Sequence, residues 1–265
     1  MTATVDKSHL HHQSRQAFLL WCIFFVLVVL FNGTIPFALG LDLHAWTGSI
    51  LKSILFSFVF YAVLFLAVPL ILIKGWETIR QPAFLYPLCV AILAISASRF
   101  FHWSVAIALI ILTYLHWRFD LSDYGIRSRG WRGDLLAILL MGLLALVPAL
   151  MQTTSSSHSF SLSTAFLTAL DRLFANPASS VENLFYFGFL AERLSYQTGR
   201  WLTPPLIGLM YTAHEMSNPE YWYGGMNFVL IFVGVTIWAA IYLWRRGVVA
   251  IWLGDGLYRF AGMLF

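Results

Sequence analysis

The chain has 265 residues, of which 60% are hydrophobic and only 11% are Asp, Glu, Lys or Arg, with a formal net charge of +4. Soluble domains carry about 25% charged residues because their surface must be solvated, so this composition excludes an ordinary water-soluble globule and requires lipid. The basic balance does not point to nucleic acid, because Lys and Arg sit in short clusters between apolar runs, the pattern of cytoplasmic loops.

Residues 1 to 16 are polar and read as a cytoplasmic tail; His9, His11 and His12 suit a solvated tail better than a metal site. The apolar run that follows is too long for a signal peptide and lacks a small-residue cleavage site, so it is expected to be a retained first span. A spanning helix needs about 20 apolar residues, somewhat fewer where loops are tight. By that measure the expected fold is all-α, a polytopic transmembrane bundle of eight or nine spans. The candidate spans are 17–38, 49–73, 83–97, 103–117, 134–151, 179–196, 202–216, 226–244 and 248–264. Residues 17–117 form an N-terminal group of helices, 118–133 a basic cytoplasmic loop, and 134–265 a second group that carries the motifs below. Cys22 and Cys89 lie in apolar runs without CxxC spacing and are expected to pack against neighbouring helices.

With a cytoplasmic tail and nine spans, the inner segments collect Lys7, Arg15, Lys74, Arg80, Arg118, Arg127, Arg129, Arg132, Arg193, Arg200, Arg245 and Arg246. Only Lys52, Arg99, Arg172 and Arg259 face the other side, a positive-inside distribution of 12 against 4 among the 16 basic residues. The loop "RFDLSDYGIRSRGWRG" reads as an anchor at an anionic leaflet, where each Lys or Arg contributes about 1 kcal/mol. The segment "QTTSSSHSFSLS" is expected as a polar outer loop. After it, "TAFLTALDRLF" brings Phe166, Leu170, Leu173 and Phe174 to one side, as in an interfacial helix.

Ionisable residues inside a bilayer cost roughly 2.5 to 3.5 kcal/mol each on insertion scales, so each one asks for a reason. The second half of the chain has Glu182, His214 with Glu215, Asp255 and Arg259. At 1.5 Å per residue, Glu182 lies about 21 Å and His214 about 18 Å from the inner ends of their spans, with Asp255 and Arg259 at about 10 and 16 Å. Separate helices thus carry polar groups to the outer half of the bilayer. Each has a plainer explanation: an i,i+4 pair between Asp255 and Arg259, a helix-dipole position for Glu182, a wet helix end for His214 and Glu215. Their common depth favours a site. A carboxylate and a histidine in a desolvated pocket can activate water as a general base, and a nearby donor can stabilise the oxyanion of an attacked amide. Zinc proteolysis fits less well, since Asn218 stands where the second histidine of HExxH is needed. No GxSG-like stretch is present for a serine protease, and "WLGDG" lacks the first glycine of an aspartyl GxGD motif.

In chain order, "DYGIRSRGWRGDLL", "VENLFYFGFLAERL", "LIGLMYTAHE" and "GVVAIWLGDGLYRF" resemble motifs of the CAAX protease and bacteriocin-processing (Abi) family of glutamic intramembrane peptidases. The resemblance covers roughly residues 120 to 265. It implies that Glu182 and His214 are the water-activating pair and that Asp255 and Arg259 occupy the oxyanion-stabilising or site-completing positions. Asn183 stands in place of the second glutamate of EExxxR, Phe187 in place of its arginine, and Met210 in place of the phenylalanine of FxxxH. Asn183 and Glu215 are secondary candidates. The resemblance implies an endopeptidase acting on a membrane-associated protein or peptide substrate in a bacterial inner membrane, with no metal and no cofactor. Two alternatives stand beside it: a catalytically inactive relative serving as immunity factor, scaffold or partner subunit, and a small transporter.

Overall fold

The computed structural model describes residues 7–40, 50–145, 161–215 and 225–262, and these form helices without a strand among them. Ile50–Lys74, Pro82–Arg99 and Phe228–Arg245 are long and apolar enough to cross a membrane; His12–Val28 and Ser104–Phe119 are shorter apolar helices. The protein is therefore an all-α protein with transmembrane helices. Most of the expected outer loop, residues 152–160, lies outside the described residues, as do the side chains of His9 and His11.

Helix α1, Lys7–Val29, starts inside the stretch expected to be a tail. The reason is a continuous buried stripe: Ser14, Ala17, Leu20, Phe24, Val28 and Phe31 recur at helical spacing, so the polar segment extends the packing face of the span. Ser14 donates to Gln197 Oε1 at 3.0 Å. Helix α2, Ile50–Lys74, is wound as a π-helix from Ser57 to Ala67, and ends where Gly75 takes a positive φ. Helices α3, Pro82–Ser96, and α4, Ser104–Phe119, are separate elements that pack on each other across a turn in which Trp103 is left-handed. Cys89 is exposed rather than packed, whereas Cys22 is partly covered.

Helix α5, Trp131–Leu144, lies along the last helix, and α6, Leu162–Phe174, also packs there. Its buried face adds two alanines to the expected apolar side, of which Leu170, Leu173 and Phe174 are partly buried, the last 5.4 Å from the Trp252 ring. Ala165 and Ala169 are buried while Phe166 is exposed, because small residues let α6 approach the last helix closely and leave Phe166 outward. Helix α7, residues 178–198, and α8, residues 200–215, are one sequence run interrupted at Gly199, whose φ of 73° is open to glycine at little cost. Helices α9, Gly225–Arg245, and α10, Val248–Gly262, complete the described fold.

The basic loop folds back onto this core. Tyr124 is buried with its hydroxyl donating to the Phe65 carbonyl, and its own carbonyl abuts Gly188 of α7, where a Cβ would not fit. Val248 N–H donates to the Gly125 carbonyl at 2.8 Å. Arg127 turns inward to Glu192 at 2.9 Å, so only part of the loop, including exposed Arg129 and Arg132, is free to meet lipid headgroups.

Candidate functional site

The break at Gly199 sets up the site. Glu182 lies 17 residues before it and His214 lies 15 after it, so folding α8 back along α7 brings both to nearly the same level. The Glu182 carboxylate and the His214 imidazole meet with Oε1 3.5 Å from Nδ1, and both residues are buried, at 1% and 3% exposure. That contact is longer than a good hydrogen bond, and Nδ1 has no hydrogen-bond partner among the described residues.

Two hydroxyls hold the carboxylate. Tyr61, from the π-helical part of α2, donates to Oε1 at 3.0 Å, and Tyr211, one turn before His214, donates to Oε2 at 2.9 Å. Hydrogen bonds to a charged group contribute about 1.5–3 kcal/mol each, which offsets part of the cost of removing the carboxylate from water. Around the imidazole, Phe24, Phe56, Tyr61, Phe65, Tyr186 and Tyr211 place ring centroids within 6.3 Å. Phe56 stacks on it with planes 10° apart. The wet helix end considered for His214, and the partly wetted first turn considered for Glu182, do not occur. Helices α1, α2 and α7 cover both groups with the rings of Phe24, of Phe56, Tyr61 and Phe65, and of Tyr186, and α2 and α7 are π-helical over 57–67, 178–182 and 184–191.

No family model, curated protein or solved structure matches the chain. The chemistry open to the site therefore follows from geometry alone.

Asp255 is buried beside this centre, and its partner differs from the i,i+4 one expected. Its Oδ2 accepts from Ser179 Oγ at 2.7 Å and lies 3.5 Å from Arg172 Nε, whereas Arg259, one turn further along α10, is exposed. The α6–α10 packing carries Arg172 inward, and a buried carboxylate gains more from a buried guanidinium than from one in contact with the surroundings. Asp255 thus has Arg172 as its counter-charge. Arg259 stays within electrostatic range of Glu215, which is partly buried and also faces Arg172. Asn183 donates back to the Ser179 carbonyl of its own helix and leaves Glu182 to the tyrosines.

Tyr61, Tyr211, Ser179 and Arg172 are the members that sequence reading passes over. Tyr211 and Ser179 carry a local signal, each standing three residues from a candidate and so on its helix face. Tyr61 has none, being one hydroxyl in the apolar run "SFVFYAVLFLA". Arg172 reads as an outer-face cation until the packing of α6 is known.

A second polar centre lies at the other end of α7. Glu192, about 15 Å from Glu182 along the helix, is contacted at 2.9 Å by both Arg127 and Arg246, at 3.1 Å by the Tyr242 hydroxyl and at 3.3 Å by that of Tyr196. Arg193 does not join the basic loops at the surface. It is buried with its guanidinium 4.4 Å from the Phe189 ring, donating to the Asp123 carbonyl at 3.1 Å. Nearby, Arg245 makes a two-pronged pair with Asp134 Oδ1 at 2.9 and 3.0 Å.

Proposed function

We propose that this protein is an intramembrane endopeptidase of the glutamic type, of the kind found in the CAAX protease and bacteriocin-processing family. The observation that carries the reading is the buried approach of the Glu182 carboxylate to His214 Nδ1 at 3.5 Å. In that reading Glu182 is the general base that takes a proton from water, and His214 orients the water and steadies the developing charge. Asp255 and Arg172 supply a neutral, fixed wall behind Ser179, and Arg259 and Glu215 lie at its rim.

The same proposal has nine spans, α1 to α5 and α7 to α10, with α6 between spans at the membrane surface. The N-terminus is cytoplasmic and the membrane is a bacterial inner membrane. Arg127, Arg245 and Arg246 all gather at the Glu192 end of α7, which supports that end as the inner one. The Glu182 centre then lies in the outer half of the bilayer, and its substrate is a membrane-associated peptide or protein segment.

One observation favours a second reading, a catalytically inactive relative acting as scaffold, immunity factor or partner subunit. Both oxygens of Glu182 are already held by tyrosine hydroxyls inside a closed aromatic shell. Purified full-length chain in proteoliposomes, with internally quenched transmembrane peptides, separates the two. A peptidase cleaves them and loses cleavage in Glu182→Gln, whereas a scaffold cleaves none and keeps its complexes in the same variant.

A further inference from the structure

Tyr186 is unlike the other hydroxyls of the site. Its side chain is fully buried, yet its hydroxyl has no hydrogen-bond partner among the described residues. Tyr61 and Tyr211, with the same chemistry a few ångströms away, are both bonded to Glu182. Tyr186 stands four residues after Glu182 and so lies on the same side of α7. Its ring is stacked on His214 with centroids 6.0 Å apart and lies 4.9 Å from the Tyr211 ring. His214 Nδ1 is likewise buried and unbonded among the described residues, while Asp255 Oδ1 and Arg172 Nε, also unbonded, belong to the neighbouring ion pair. A buried donor with no acceptor leaves its desolvation uncompensated, and two such atoms on adjoining rings beside one carboxylate point to an oxygen that belongs between them.

We propose that Tyr186 is a third catalytic residue of the site and acts as its oxyanion donor. This rests on the peptidase reading above. In the resting protein the Tyr186 hydroxyl donates to a water that also meets His214 Nδ1. During cleavage the oxygen of the attacking water bonds to the scissile carbonyl carbon while Glu182 takes a proton from that water. The carbonyl π pair moves onto its oxygen, and that oxyanion accepts the Tyr186 hydrogen bond. Collapse restores the carbonyl, breaks the C–N bond and passes the proton from Glu182 to the departing nitrogen. The role answers a gap in the motif set, since Asp255 stands at the position where the family resemblance implies an oxyanion donor, and Asp255 is engaged with Ser179 and Arg172.

The test is Tyr186→Phe, which removes one oxygen and keeps the ring and its stacking. Cleavage of an internally quenched transmembrane peptide by the full chain in proteoliposomes should lose kcat by about 100-fold, the effect of deleting one oxyanion donor. KM and the thermal midpoint should stay at their wild-type values, because the lost hydroxyl bonds no group among the described residues. A purely structural Tyr186 predicts unchanged kcat, and that result, alongside an inactive Glu182→Gln, overturns the proposal while leaving the peptidase reading intact. Full activity in Glu182→Gln overturns both. A structure of the full chain at a resolution that shows ordered water decides the point without a substrate. A water within hydrogen-bond distance of both Tyr186 Oη and His214 Nδ1 is expected, and a dry site there overturns the proposal.

Discussion

Two glutamates on one helix, ten residues apart, are treated in opposite ways. Glu192 is buried among two guanidiniums and two tyrosine hydroxyls, so its charge is matched at every approach. Glu182 is buried more deeply and, among the described residues, accepts from a tyrosine hydroxyl on each oxygen, with the His214 imidazole 3.5 Å away. A carboxylate saturated by arginines is a poor base, because proton uptake would strand two cations. One held by neutral hydroxyls strands no cation when it takes up a proton. The first arrangement ties the central loop, α7 and the α9–α10 turn together; the second leaves a group free to do chemistry.

The comparison can be broken at either end. The largest effect is expected at Glu182, where Glu182→Gln should lower peptide cleavage by about 1,000-fold, equivalent to about 4 kcal/mol of barrier. Its thermal midpoint in detergent should change little, since the amide oxygen still accepts from one tyrosine hydroxyl and the amide NH2 can donate to the oxygen of the other. An unfolded or strongly destabilised Glu182→Gln protein would make Glu182 a structural residue like Glu192.

Next in size is Glu192→Gln, which leaves Arg127 and Arg246 facing each other without a counter-charge. The expected loss of stability is about 3 kcal/mol, the lower end of the range for breaking a buried pair, because both guanidiniums are about one-fifth exposed. Chemical denaturation in detergent measures it, and a cycle with Arg127→Gln should recover part of the loss. A Glu192→Gln protein of wild-type stability would dissolve the contrast between the two centres.

The junction between them is Gly188. A Cβ there meets the Tyr124 carbonyl, so Gly188→Ala should force the basic loop off α7 at about 2 kcal/mol, read as faster proteolytic nicking of residues 120–130. Smallest is Tyr124→Phe, which strips the hydroxyl from the Phe65 carbonyl and should cost about 1 kcal/mol in thermal denaturation. Since Phe65 also packs on His214, a drop in cleavage by Tyr124→Phe greater than its loss of stability would show that the two ends communicate.

Much of this was legible in the residues. The apolar runs locate the helices, and counting along them singles out Glu182 and His214 as groups at a common depth. The extension of α1 into the polar tail was not, because the alternation of Ser14 and Ala17 with polar residues looks like solvated sequence until α7 and α8 supply a surface to pack on. The partner of Asp255 was not legible either. Spacing along one helix offers Arg259, while the true partner, Arg172, arrives from α6 through a helix contact that leaves no local trace.

By itself the sequence determined that the chain is helical and membrane-embedded, since a composition with so little charge cannot be solvated and a backbone in lipid must bond to itself. It also determined that a few ionisable groups would share one level. Which charges are matched was decided only by the tertiary structure. Compensation depends on distances of a few ångströms between different helices, and those are fixed by side-chain packing and by the fold at Gly199 rather than by position in the chain.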